Sequence, residues 1–141
     1  NNYLWRVQWF RRQFMIPDLN GNWTCIGRGI LKNGEKVDYP WEGQIVITQS
    51  WSRMSVSMSA GQSGSESVSA SISYVSGRGF RLLYHYINHP KPGEEELNIH
   101  HGTADVVFGD ECESGEGFYF TDQHRSTVGT MVLTKVRGNA E

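Results

Sequence analysis

Eight residues have side chains suited to holding a flat, polar, anionic small molecule: Gln49, Trp51, Tyr84, Tyr86, Asn88, Tyr119, Thr121 and Arg125. Gln49 and Trp51 share the parity of an otherwise apolar run, Trp41, Gly43, Ile45 and Ile47. Asn88 continues the parity of Leu82, Tyr84 and Tyr86, while Tyr119 and Thr121 precede Arg125. A β interior that only fills itself uses aliphatic residues, so amides and phenols in these places call for a partner. Aromatic rings stack on nucleobases for roughly 1–3 kcal/mol per base. Amides read base edges, and arginine forks onto phosphate through charge-assisted hydrogen bonds. The set therefore fits a nucleotide. Trp51 and Tyr86 are the stacking candidates, seconded by Tyr84 and Tyr119. Gln49, Asn88 and Thr121 are the hydrogen-bonding candidates, and Arg125 is the phosphate candidate. The competing reading makes the same residues a core tryptophan, rim tyrosines and an exposed loop arginine that only serve the fold.

Other chemistries find no support in the sequence. There is no P-loop, no G-x-G-x-x-G after a strand and no G-x-S-x-G elbow. His100 and His101 are adjacent on an expected strand, so their side chains point to opposite faces and cannot chelate one ion together. His100 reads as a satisfied rim histidine, and Glu94–Glu96, Glu111 and Glu113 read as solvated loop acids. Cys25 and Cys112 lack the spacing of a metal site and read as idle thiols, with a disulfide left open. The chain is expected to bind a ligand rather than transform it, and to need no cofactor or metal.

These residues must be carried by strands. At 141 residues the chain suits one domain, and its formal net charge of −2 offers no global field for long nucleic acid. Apolar and polar residues alternate with the period of half-buried strands. Met54, Val56 and Met58 alternate with serines, and so do Val68, Ala70 and Ile72, as expected of strands with a wet outer face. Further strands are expected near Trp23–Leu31, Trp41–Trp51, Leu82–Asn88, Ile99–Phe108, Gly115–Thr121 and Val128–Val136. Turn signals such as Asn33-Gly34, Gly77–Gly79 and Gly109-Asp110 lie between them. About eight short strands with short turns favour an all-β, antiparallel up-and-down barrel, because closure removes exposed edges. A two-sheet sandwich lacks any signature that would divide the strands. Gly21-Asn22-Trp23 resembles the G-x-W start of lipocalin-like barrels, where the indole closes one end. Residues 1–17 stand apart. Trp5, Trp9, Phe10 and Phe14 mix with Arg6, Arg11 and Arg12, as in a juxtamembrane segment at a water–lipid interface, the alternative being a short amphipathic helix packed on the barrel. The expected organisation is therefore a flank over 1–17, the end of a truncated transmembrane region, and a barrel over 18–138.

Over Leu19–Val136 the order of motifs resembles the β-barrel sensor domain of two-transmembrane, β-strand-rich effectors in bacterial antiphage defence of the CBASS type. The resemblance rests on L-N-G-N-W (Leu19–Trp23), I-T-Q-S-W (Ile47–Trp51) and S-G-S-E-S (Ser63–Ser67). It continues through L-L-Y-H-Y-I-N-H-P (Leu82–Pro90), H-H-G-T-A (His100–Ala104) and G-F-Y-F-T…R…G-T-M-V-L (Gly117–Leu133). It implies a cyclic dinucleotide ligand made by a partner nucleotidyltransferase, with transmembrane helices N-terminal to the barrel in the bacterial inner membrane. The barrel would face the cytoplasm, and ligand would control homo-oligomeric assembly, membrane disruption and growth arrest or cell death. A related effector held inactive by its nucleotide has the opposite sign. Outside this family, the same residues allow a lipocalin-like carrier of a small apolar molecule, or a purely structural interaction module.

Overall fold

The computed structural model describes residues 16–61, 63–93, 99–123 and 126–138, and every regular element among them is a strand. The strands are β1 (Gly21–Lys32), β2 (Glu35–Gln49), β3 (Met54–Ala60) and β4 (Ser63–Val75), then β5 (Gly79–Pro90), β6 (His100–Phe108), β7 (Ser114–Thr121) and β8 (Thr127–Lys135). Each pairs antiparallel with the next, and β8 returns to β1, closing an eight-stranded barrel. The up-and-down barrel expected from the alternation is the fold. Residues 1–15, the acids Glu94–Glu96 and Arg125 lie outside the described residues. Among the described residues no helix is long and apolar enough to cross a membrane.

Strand polarity divides the barrel into two ends. The lower end holds the start of β1, the β2–β3 turn and the β4–β5 and β6–β7 turns; the upper end holds the other connections. The lower half is filled. Trp23, Phe108, Leu19, Ile47, Val106 and Leu133 are all but fully buried there. The Trp23 and Phe108 rings meet edge to face, 5.1 Å between centroids. Gly21 sits at φ +132°, a conformation that side chains disfavour. It lets the strand begin by turning Trp23 inward, so the indole closes this end as the G-x-W resemblance implies.

Gln49 explains itself here. Its amide oxygen accepts from the Leu19 N–H at 3.0 Å, and its amide nitrogen donates to the Pro17 carbonyl at 2.9 Å. Asn20 adds a reciprocal pair: its side chain donates to the Gln49 carbonyl and accepts from the Gln49 N–H. The Trp23 indole N–H completes the set by donating to the Leu19 carbonyl at 3.0 Å. A lead-in segment with no strand of its own is thus satisfied by borrowed side-chain groups, as buried backbone must be.

Two details depart from simple alternation. A bulge between Ser67 and Ser69 shifts the β4 register against β5. One inserted residue reverses the faces, so Val68 is exposed whereas Ala70 and Ile72 pack on the core. The expectation that Val68 shares their face is corrected by that bulge. Secondly, β3 pairs with β4 only between Ser57–Ala60 and Ser63–Glu66, and β4 continues beyond on β5 alone. At the end of that ladder the Ser67 hydroxyl accepts the Val56 N–H at 2.9 Å.

The Gln49→Ala variant should lose about 2–3 kcal/mol of stability, because it strands a buried N–H and a buried carbonyl of the lead-in. Chemical denaturation checks this, with the change expected in the midpoint rather than in the slope.

Candidate functional site

The filled lower half leaves a cavity of about 340 Å³ in the upper half, open toward the upper end. Its floor and walls come from inward-facing residues of most strands, among them Trp41, Met58, Tyr84, Tyr86, Ala104, Tyr119 and Met131. Cross-strand register sets three buried polar side chains side by side. Ser65 of β4 lies opposite Asn88 of β5, which lies opposite His100 of β6. All three are 8 % exposed or less. The Asn88 amide nitrogen donates to the Ser63 hydroxyl at 3.2 Å, extending the row toward the mouth. Register thus sets a row of buried polar side chains along one wall of the cavity.

Elsewhere the cavity wall is built from rings lying on glycines. The Trp41 indole covers Gly27, the Tyr86 ring covers Gly102, and the Tyr119 hydroxyl end covers Gly129. A Cβ at any of the three would collide with the ring above it. The Trp41 indole N–H donates to the Tyr119 hydroxyl at 2.9 Å, and the two rings meet edge to face at 5.6 Å. Each indole or phenol therefore lies back against the sheet, leaving the cavity clear.

Burial raises the Tyr84 phenol well above its ordinary value, with Tyr86 and Cys25 adding to the shift, so it stays neutral. Burial also pushes the Cys25 thiol up to about 12. Both cysteines are free and buried.

Thr121 works at the rim. Its hydroxyl accepts from the Thr127 N–H at 2.8 Å, clamping the two ends of the β7–β8 connection. That connection is tied to the β1–β2 turn through the Asn33 N–H, which donates to the Ser126 carbonyl. Arg125 belongs to the same connection but lies outside the described residues. Among the described residues lining the cavity there is no lysine or arginine, and Glu42 stands at its edge.

The structure divides the candidates read from sequence. Tyr84, Tyr86, Asn88, Tyr119 and Thr121 come together around one cavity. Gln49 and Trp51 do not join them. Both line a separate hollow of about 570 Å³ at the lower end, between the β2–β3 turn and β4. Trp51 is 61 % exposed because β2 ends at Gln49 and the chain has already turned. Sequence reasoning did not pick out Trp41 and Ser65 as lining residues, and His100, read as a satisfied rim histidine, opens β6 at the upper end of the cavity. Trp41 shares the inward parity of β2, but only the register places it over Gly27. His101 faces outward, where its Nδ1 lies 2.9 Å from Nε2 of His85.

A closed barrel filled below and hollow above, with polar and aromatic walls, defines a small-ligand receptor domain. The chain belongs to the Cap15 cyclic dinucleotide receptor domain family, which it matches over residues 14–135. It is 38 % identical over 133 residues to CD-NTase-associated protein 15 of Yersinia aleksiciae, covering 94 % of this chain. The chain spans 62 % of the length of that relative.

Two outcomes follow from the geometry. Gly102→Val should push the Tyr86 ring into the cavity, costing about 1–3 kcal/mol of stability and shrinking the space for ligand. Melting and ligand titration of the same variant read both effects. Secondly, Cys25 and Tyr84 hold their protons more tightly folded than unfolded, where their ordinary values are 9.0 and 10.0. Above about pH 9 the folded state therefore binds more protons, and stability falls as pH rises. The slope is about 1.4 kcal/mol per pH unit for each group once its unfolded form ionises. The melting temperature followed from pH 8 to pH 11 should fall, and Cys25→Ala should flatten the fall from its onset near pH 9.

Proposed function

We propose that the barrel senses a cyclic dinucleotide in its upper cavity, with a nucleobase held between the ring-lined wall and the Ser65–Asn88–His100 row. That row is the observation that carries the reading. A carrier of apolar molecules has no use for an amide, an imidazole and a hydroxyl buried in one cavity. A base uses each of them, and the Trp41, Tyr86 and Tyr119 rings supply stacking surface. Tyr84, neutral and at the floor, sets the depth. Bringing a phosphodiester into a cavity with no lysine or arginine among its described lining residues is unfavourable by about several kcal/mol. The phosphates therefore stay at the mouth, beside the connection that carries Arg125.

In this reading the domain is the sensor of a bacterial antiphage membrane effector. The name of the Yersinia relative, associated with a CD-NTase, supports a partner nucleotidyltransferase as the source of the signal. The aromatic and arginine-rich residues 1–15 support a flank at the inner membrane, with transmembrane helices preceding the barrel and the barrel on the cytoplasmic side. Ligand acts through its different affinities for two states of the effector, favouring or releasing the homo-oligomer that clusters those helices and disrupts the membrane.

Thermal melting against a panel of cyclic dinucleotides tests the sensing step. A ligand at a hundred times its dissociation constant should stabilise the barrel by about 2.7 kcal/mol. Trp41→Ala and Tyr119→Ala should each weaken binding by about tenfold or more. A folded barrel that no member of the panel stabilises would remove the reading.

A further inference from the structure

We infer that the edge of β4 over Ser69–Val75 is where two copies of this chain pair, antiparallel about a two-fold axis at Ile72. The inference rests on the homo-oligomer in the function proposed above and specifies the surface on which copies meet.

The ladder between β3 and β4 stops at Ser57 opposite Glu66, and the bulge at Ser67/Ser69 follows at once. From Ser69 to Val75 the strand is laddered, among the described residues, to β5 alone, from His85 to Gly79. The hollow at the lower end keeps this stretch apart from the β2–β3 turn. Trp51, Arg53 and Met54 line one side of it, and Ala70, Ile72 and Tyr74 the other. One side of the β4 backbone thus presents N–H and C=O groups to which another strand can add. Sheet edges are commonly guarded by charge, proline or brevity. Ser69-Ala70-Ser71-Ile72-Ser73-Tyr74-Val75 carries no charge and no proline.

A strand that adds here must be uncharged, and large where this one is small. A second copy centred on Ile72 meets both conditions. Ala70 of one copy falls opposite Tyr74 of the other, small against large, and Ile72 falls opposite Ile72. All three lie on the face turned to the hollow. On the outer face Ser71 falls opposite Ser73, and both are exposed. The flanking charges agree. Glu66 precedes the stretch and Arg78 follows it, both exposed, so antiparallel pairing brings Glu66 of each copy toward Arg78 of the other. Parallel pairing in register sets like charge against like. The contact is the same patch on both copies, so it closes as a dimer. A single short ladder is a small interface, of the class that forms and parts, as assembly under ligand control requires.

The experiment uses the full chain. Ser71→Cys and Ser73→Cys chains are oxidised mildly, alone and mixed, with and without the panel of cyclic dinucleotides, and sedimentation of the unoxidised chain gives the dimer fraction. Cys25 and Cys112 are buried, so the unsubstituted chain is the control. The mixture should cross-link at least about tenfold faster than either chain alone, because equal positions on the two copies lie beyond the ~7 Å Cα limit of a disulfide. Ser71→Lys with Ser73→Lys sets ammonium groups opposite one another and should raise the dimer dissociation constant about tenfold, with the melting temperature of the dilute monomer unchanged. Dimers that sediment but cross-link no better in the mixture overturn the β4 edge and leave the homo-oligomer standing. Amides of Ser69–Val75 all protected from hydrogen exchange in the dilute monomer also overturn it, since the edge is then covered within one copy. A chain that stays monomeric with every member of the panel overturns both the edge and the homo-oligomer, while melting against the same panel reads sensing separately.

Discussion

Closure of β8 onto β1 is the contact on which everything else depends. It runs from Trp23 opposite Lys135 to Lys32 opposite Thr127, and without it the other seven pairings make an open, edged sheet. Once the ring is shut, its circumference is fixed and the inward side chains must share a bounded space. Large residues near the start of β1, the end of β2 and the end of β6 fill the lower part of that space. The upper part has no such filling and stays open. Cavity and plug are thus complementary results of one constraint, with the distribution of side-chain volume along each strand deciding where the hollow falls.

The hollow is shaped as much by what is missing as by what is present. Gly27, Gly102 and Gly129 weaken the strands they sit in, since glycine has no side chain to pack and loses most entropy on folding. Each is covered by an aromatic side chain from the neighbouring strand, which restores the lost packing. The stability given up by glycine returns as ring burial, and the ring gains a fixed orientation.

Much of this was legible in the sequence, for physical reasons. A strand of a small barrel has a wet face and a dry face, so period-two alternation is strong, and Leu82, Tyr84, Tyr86 and Asn88 announced both their strand and their inward side. Gly21-Asn22-Trp23 announced the closed end in the same way. The division of the candidate site was hidden. Parity shows which face a residue takes but not how far along the barrel it lies, and Gln49 and Tyr84 share the inward side at different heights. Gln49 is an interior amide satisfied by the lead-in segment, which no periodicity reveals. Ser65 was invisible among serines that mostly face water, and its role depends on a bulge at Ser67/Ser69 that alternation alone does not disclose. Trp41 belonged to a recognised strand, yet only the pairing of β2 with β1 put a glycine beneath it.

The short seam between β3 and β4 gives the barrel a direction in which to give way. Among the described residues this junction has the shortest ladder, holding from Ser57 to Ala60 and then parting, with a serine hydroxyl as its last stitch. Thermal motion in a ring concentrates at its weakest joint. Ser65 and Asn88 stand on one side of that junction and Trp41 on the other. Trp41 and the Ser65–Asn88 pair thus stand on opposite sides of the shortest ladder in the ring, and whatever grips both also staples it.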